Sequence, residues 1–134
     1  MTRRPQLAVL FIATVTVSLL TGCTGGRALE AYPIATGGDG HRGKTVIEQY
    51  HCGACHNIPG IPGARGLVGP SLTQFGYRSF VGGEVPNNPE NLVKWLMSPQ
   101  SIEPATAMPA LGLTEQQARD AAAYLYALRL RGES

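Results

Sequence analysis

Two cysteines three positions apart with a histidine directly behind them, Cys52, Cys55 and His56 in the run Tyr50-His51-Cys52-Gly53-Ala54-Cys55-His56, are the residues best placed to do chemistry. On a turn of helix, two thiols at this spacing can each add to one vinyl group on the same porphyrin edge, and the adjoining imidazole then falls under the iron. Cys-x-x-Cys-His is therefore read as a covalent attachment site for one haem c, with His56 as an iron ligand. One ring nitrogen of His56 would meet the metal while the other donates to a backbone carbonyl that sets the tautomer and the ring orientation. Rival uses of Cys-x-x-Cys fit less well. A thioredoxin-like pair wants a buried strand before it, but the residues before Cys52 have helical spacing. A zinc site wants a second ligand pair, and the remaining cysteine is Cys23, so His41 and His51 would have to improvise one. The bland alternative is two unrelated cysteines beside a surface histidine.

The N-terminus places this motif in a compartment. Arg3 and Arg4 precede an uncharged apolar run over residues 7–20, short for a membrane span and suited to a signal peptide. Leu20-Thr21-Gly22-Cys23 follows and resembles a bacterial lipobox, in which cleavage exposes a cysteine that receives a lipid. The expected organisation is a signal peptide over residues 1–22, a lipidated flexible tether over 23–40, and a haem-binding domain over 41–134. An uncleaved signal anchor is the alternative; both place the domain outside the cytoplasm, held to a membrane. With Cys23 lipidated and Cys52 and Cys55 bound to haem, no thiol is left to oxidise there. Losing Arg3 and Arg4 with the signal leaves nine basic against nine acidic side chains, and no basic cluster or aromatic platform supports nucleic-acid binding.

The elements that must position the motif are mostly helical. Gly43, Val46, Ile47 and Tyr50 form one stripe of a helix over residues 41–50. Residues 58–70 hold too many prolines and glycines for regular structure, and their Ile58, Ile61, Leu67 and Val68 are expected to cover haem. Residues 75–80 suit a short helix or turn. Asn88 and Pro89 open a helix carrying Leu92, Val93, Trp95 and Leu96 that stops before Pro99. An irregular loop over residues 98–112 contains Met108. Thr114 and Gln117 make a capping box for the last helix, whose inward stripe is Ala118, Ala121, Ala122, Leu125 and Leu128. No strand-type alternation is visible, and so thin a core needs a buried porphyrin to supply apolar area.

From about residue 40 to residue 130 these pieces stand in an order that resembles a class I c-type cytochrome. They are an amphipathic helix, Cys52-Gly53-Ala54-Cys55-His56, Gly69-Pro70-Ser71-Leu72, a middle helix, Thr106-Ala107-Met108-Pro109 and a final helix with Asp120-Ala121-Ala122-Ala123-Tyr124-Leu125. The resemblance implies an all-α fold of three to five helices with long loops around one covalently attached haem. It implies that the Pro70 carbonyl accepts from His56, that Arg78 and Thr106 lie near propionates, and that Trp95 stands near the axial sulfur. Met108, on a loop before Pro109, is the expected sixth ligand; Met97, His41 and His51 are its rivals. Arg78 as a plain surface residue and Trp95 as plain core remain alternatives, while Tyr50 and Tyr124 are expected to pack helices. Two departures from that family stand out: residues between Arg78 and Pro89 are fewer than in its mitochondrial members, and Ala121 stands where a larger leucine is usual, which should loosen the crossing of the terminal helices.

With His56 and Met108 filling both axial positions, the resemblance implies a one-electron carrier rather than an enzyme, of comparatively high potential, with the electron leaving through the exposed haem edge. The lipid on Cys23 would hold it on the periplasmic face or outer surface of a bacterial membrane. Expected partners are redox proteins or membrane respiratory complexes, met by a transient, mostly apolar contact through Ile58, Pro59, Ile61, Pro62, Ala64, Pro109, Ala110 and Leu111, with Arg65 its only charge. The alternatives are a fixed electron-relay subunit of a membrane oxidoreductase, or a haem enzyme or gas sensor if Met108 is not a ligand.

Overall fold

Three helices, joined by long loops, meet in a computed structural model that describes residues 36–128. The expected signal peptide, Cys23 and most of the expected tether lie outside the described residues. Helix α1 spans Gly40–Gln49, α2 spans Pro89–Met97 and α3 spans Glu115–Ala127. Single turns of 3-10 helix stand at Cys52–Ala54, Phe75–Tyr77 and Pro99–Ser101. No helix among the described residues is long and apolar enough to cross a membrane.

Each helix starts where a side chain satisfies its first free N–H groups. Asp39 caps α1 by accepting from the N–H groups of His41 and Arg42 at 2.8 and 2.9 Å. Asn88 caps α2 through the N–H of Asn91, with Pro89 in the first turn. Thr114 and Gln117 form the capping box of α3. The apolar stripes then turn inward: Val46 and Ile47 from α1, Leu92, Val93 and Leu96 from α2, and Ala118, Ala121, Ala122, Tyr124 and Leu125 from α3 are all buried.

The crossing of α1 and α3 is closer than Ala121 alone suggested. A Cβ added to Gly43 would stand 2.0 Å from the carbonyl oxygen of Asp120, so the backbones meet directly at that glycine. The expected loosening does not occur because Gly43 and the small residues Ala118, Ala121 and Ala122 let the helices close the gap. Asp120, buried at this crossing, accepts from Arg42 Nε and Nη2 at 2.9 and 2.8 Å, from the Asp39 N–H at 2.8 Å and from Gln116 Nε2 at 3.1 Å.

Two further features depart from the sequence reading. Residues 36–39, expected to belong to the flexible tether, are docked on α3: Thr36 is buried, its carbonyl accepts from Arg119 Nη1 at 2.8 Å, and the Gly37 carbonyl accepts from Gln116 Nε2. A small antiparallel hairpin, β1 at Phe80–Val81 and β2 at Val85–Pro86, pairs Val81 with Val85 and Phe80 with Pro86. Its turn uses Gly82 and Gly83 at φ 63° and 84°. Strands of two residues carry no alternation to read, so they were invisible in the sequence.

Candidate haem site

The chain leaves α1 through His51, held in the left-handed region at φ 52°, and enters the 3-10 turn Cys52–Ala54. His51 therefore ends the helix before the cysteines, and they sit on a tighter turn than the one expected. Backbone bonds close it: Ala54 N–H to His51 O at 2.9 Å and His56 N–H to Cys52 O at 3.0 Å. The following loop folds back onto this turn, with the Gly66 N–H donating to Gly53 O at 3.1 Å and the Gly69 N–H to Cys55 O at 2.8 Å. Glycine is needed at these contacts: a Cβ on Gly66 would lie 2.3 Å from the Cys55 carbonyl carbon, and one on Gly53 2.6 Å from Ala64 Cβ.

His56 Nδ1 donates to the Pro70 carbonyl at 2.8 Å. That bond assigns the proton to Nδ1 and leaves Nε2 an acceptor, with no hydrogen bond of its own among the described residues. Gly69 fits flat against the ring; a Cβ there would lie 2.3 Å from Cε1 and 2.6 Å from Nδ1. The sequence reading quoted Gly69 beside Pro70 but gave it no role of its own; its place against the ring comes from the structure.

A cleft of ≈ 310 Å³ opens beside the turn. Its walls are apolar, supplied by Val46, Ile47, Ile58, Leu72, Phe75, Val81, Leu92, Leu96, Leu113 and Leu125. Cys52, Cys55, His56, Pro70, Arg78, Trp95, Thr106 and Met108 all line it, so every described residue singled out for the site comes to one place. Cys23 lies outside the described residues. Of the rival ligands, His41 and Met97 are exposed and do not line the cleft, while His51 does line it but is carried on the same segment as His56. Burial pushes the Cys52 thiol above its ordinary range, only partly offset by its own backbone N–H and reinforced by the nearby Cys55 sulfur. Two thiols, an imidazole with one nitrogen tied to a carbonyl, a thioether and apolar walls form a donor set that fits an iron porphyrin.

The other polar groups are held as follows. Arg78 Nη2 donates to the Ser71 carbonyl, and its guanidinium stands 5.5 Å from the centre of the Phe75 ring. Asn87, which the sequence reading passed over, bridges the Phe75 and Arg78 carbonyls with its Nδ2 at 3.3 and 3.0 Å and accepts from the Tyr126 hydroxyl at 2.9 Å. Its signal was a pair of adjacent asparagines of which the helix cap uses one. Trp95 is half-buried against the hairpin turn, where a Cβ on Gly82 would meet its ring at 2.5 Å. Thr106 Oγ1 accepts from the Met108 N–H at 3.3 Å, and the Met108 carbonyl accepts from Gln100 Nε2 at 2.7 Å. Gln100 was also missed.

The expected apolar contact surface needs correction. Ile58, Ile61 and Ala64 are 2, 8 and 4 % exposed and belong to the core, beneath a Pro59 carbonyl that accepts from the Tyr124 hydroxyl at 2.7 Å. Leu67 and Val68, expected to cover haem, are 91 and 81 % exposed, and of the two Val68 lines the cleft while Leu67 does not. The two pairs differ because Ile58 and Ile61 lie where the loop runs over α3, whereas Leu67 and Val68 form the tip between the two glycines pinned to Gly53 and Cys55.

Cytochrome c oxidase subunit 2 of Alkalihalophilus pseudofirmus is 35% identical over 91 residues, covering 67% of this chain and 26% of that protein. The proteins of the same name from Bacillus sp. strain PS3 and Bacillus subtilis are each 30% identical, over 73% and 69% of this chain and 28% and 27% of theirs. The chain thus spans about a quarter of the length of these curated relatives. No solved structure gives a significant match. A family model described as Cytochrome c matches residues 40–129, from the start of α1 to just past the end of α3 and so across the whole cleft. The chain belongs to the cytochrome c family, as a class I c-type cytochrome with an electron-transfer domain of the kind that carries haem c.

Proposed function

We propose that this chain holds one haem c through thioether bonds from Cys52 and Cys55, ligates its iron with His56 and Met108, and carries single electrons outside the cytoplasm of a bacterium while a lipid on Cys23 keeps it at a membrane. The observation that carries this reading is the meeting of both thiols, the imidazole and the Met108 thioether in one apolar cleft. Haem supplies a one-electron couple at iron when bound. The chain's residues do the rest. The Pro70 carbonyl holds the His56 proton on Nδ1, which keeps Nε2 free to ligate. Met108 offers a thioether where a second imidazole would favour the oxidised state, and the apolar walls exclude water; both raise the potential. Arg78 and Thr106 line the cleft as the donors that would meet propionate oxygens, and Trp95 lines it as the residue that would stand near the axial sulfur. Residues 36–39 fix the point at which the tether leaves the domain.

Electron exchange takes place where apolar side chains stand exposed at the rim, at Leu67, Val68, Pro109, Ala110 and Leu111, and the partner is a redox protein or respiratory complex. Turnover with such a partner should vary little with added salt; a steep fall would reject an apolar contact. The relatives favour a second reading, a fixed electron relay within a terminal oxidase, because their matching stretch is part of a cytochrome c oxidase subunit 2. Stable co-purification with a membrane complex selects it; release of the chain alone selects the carrier.

The decisive experiment is mass spectrometry of exported protein made in cells that mature c-type cytochromes. One added haem on a peptide containing Cys52 and Cys55 is expected, and an unmodified dithiol refutes the proposal. The ligand assignment is tested separately. Met108→Ala should bind carbon monoxide rapidly in the ferrous state and lose the sulfur-to-iron charge-transfer band that the unaltered protein shows.

A further inference from the structure

The loop that carries Met108 is stitched mainly by bonds between near neighbours. Ser101 Oγ donates to Ser98 O, the Ala105 N–H to Glu103 Oε1, the Thr106 N–H to Glu103 O and the Met108 N–H to Thr106 Oγ1, each spanning two or three residues. Such bonds shape local turns but do not tie the Met108 end of the loop to the body of the domain. One side-chain bond does so among the described residues: Gln100 Nε2 donates to the Met108 carbonyl at 2.7 Å, eight residues away.

The donor is well supported. Gln100 is in the middle of the 3-10 turn Pro99–Ser101, which directly follows α2, and Pro99 beside it is buried. The turn is closed by the Ser101 N–H on Ser98 O and the Ile102 N–H on Pro99 O. The amide thus stands on a rigid footing, while its acceptor stands on an irregular loop, and the bond transfers the rigidity of α2 to the Met108 peptide. With Thr106 Oγ1 taking the Met108 N–H, both polar backbone groups of Met108 are engaged, one locally and one across the loop.

We propose that Gln100 is a positioning residue for the sixth iron ligand: its amide clamps the Met108 carbonyl and thereby sets how often the Met108 sulfur leaves the iron. The inference rests on Met108 being that ligand. A ligand loop that opens exposes the sixth position to exogenous ligands, and the apparent affinity for them scales with the open population. Removing one neutral hydrogen bond at an accessible site shifts such an equilibrium by about 1 kcal/mol, or about fivefold.

The test uses the full-length haem-loaded protein and four variants. Gln100→Glu keeps the shape and removes the donor; Gln100→Ala removes both; Gln100→Arg restores an N–H donor that does not ligate iron; Met108→Ala marks the fully open state. Imidazole binding to the ferric form and carbon monoxide capture by the ferrous form are measured beside the sulfur-to-iron band and the denaturation midpoint. Apparent imidazole affinity and carbon monoxide capture should rise about fivefold in Gln100→Glu and Gln100→Ala and return toward the unaltered value in Gln100→Arg. Unaltered rates in Gln100→Glu and Gln100→Ala, with the band present, overturn the clamp and leave the ligand assignment standing. A rise that Gln100→Arg fails to reverse, accompanied by an equal loss of overall stability, also overturns it. An unaltered protein that lacks the band and binds carbon monoxide as fast as Met108→Ala overturns the ligand assignment itself, and the clamp with it.

Discussion

Replacing Gly43 by alanine puts the helix crossing to a direct test. The new methyl would stand 2.0 Å from the Asp120 carbonyl oxygen and 2.6 Å from its carbon. These are backbone atoms of α3, so no rotamer change relieves the clash. To regain an ordinary contact of 3.4 Å the helices must part by roughly 1.4 Å. That movement stretches the Arg42 and Asp39 bonds to Asp120 and opens the contact among Val46, Ile47, Ala118, Ala121 and Ala122. Overpacking of this kind costs about 3 kcal/mol, and replacing a helical glycine by alanine returns about 1 kcal/mol, so a net loss of about 2 kcal/mol is expected. In a domain of this size that lowers the melting temperature by roughly 10 °C. Gly40, on the same helix, is the control: its added Cβ meets nothing closer than Tyr124 N at 3.7 Å, so Gly40→Ala should leave stability unchanged or raise it. Denaturant titration of both haem-loaded variants, followed by circular dichroism, gives the comparison. Equal stability of Gly43→Ala and Gly40→Ala would refute the close crossing.

Two further outcomes follow from neighbouring groups. Burial opposes ionisation of Asp120, but the Arg42 guanidinium, the Asp39 N–H and the Gln116 amide outweigh it and hold its carboxyl below the usual range. A carboxyl whose pKa is lower folded than unfolded adds stability above its unfolded value and loses it as pH falls through the folded one. The denaturation midpoint should therefore drop as pH falls below about 4, and Asp120→Asn should cost about 2 kcal/mol at neutral pH and flatten that acid limb. Parallel pH curves for the two proteins would reject the role of Asp120. At the site, Gly69→Ala drives a methyl to 2.3 Å from His56 Cε1, so the ring must turn and its bond to the Pro70 carbonyl must break. Mass spectrometry should still find haem attached while the visible spectrum moves toward a high-spin form; an unchanged spectrum means the imidazole does not need that glycine.

Residue type and local spacing were enough to single out the Cys-x-x-Cys-His motif and the middle and last helices with their caps, whereas Pro70, Arg78, Trp95 and Thr106 were reached only through the resemblance to class I c-type cytochromes. The motif and the helices depend on short-range rules: thiols three positions apart, a proline after a capping asparagine, a Thr-x-x-Gln box. The sequence also set Met108 apart from Met97, because a methionine on a helical stripe next to Val93 and Leu96 follows a different pattern from one on a loop before proline, and of the two Met108 is the one that lines the cleft. Only the tertiary structure decided what depends on distant partners. Asp120 is an ordinary helix residue until Arg42 and Asp39 approach from α1, and Gly43 is an ordinary stripe member until the α3 backbone comes within contact. Ile58 and Leu67 look alike in a Pro- and Gly-rich loop, yet one is sealed in the core and the other projects into solvent, because the loop's path over the Cys52–Ala54 turn is set by bonds to Gly53 and Cys55 that no local pattern encodes. Burial and close approach are properties of pairs of segments, and a chain read one position at a time shows only half of each pair.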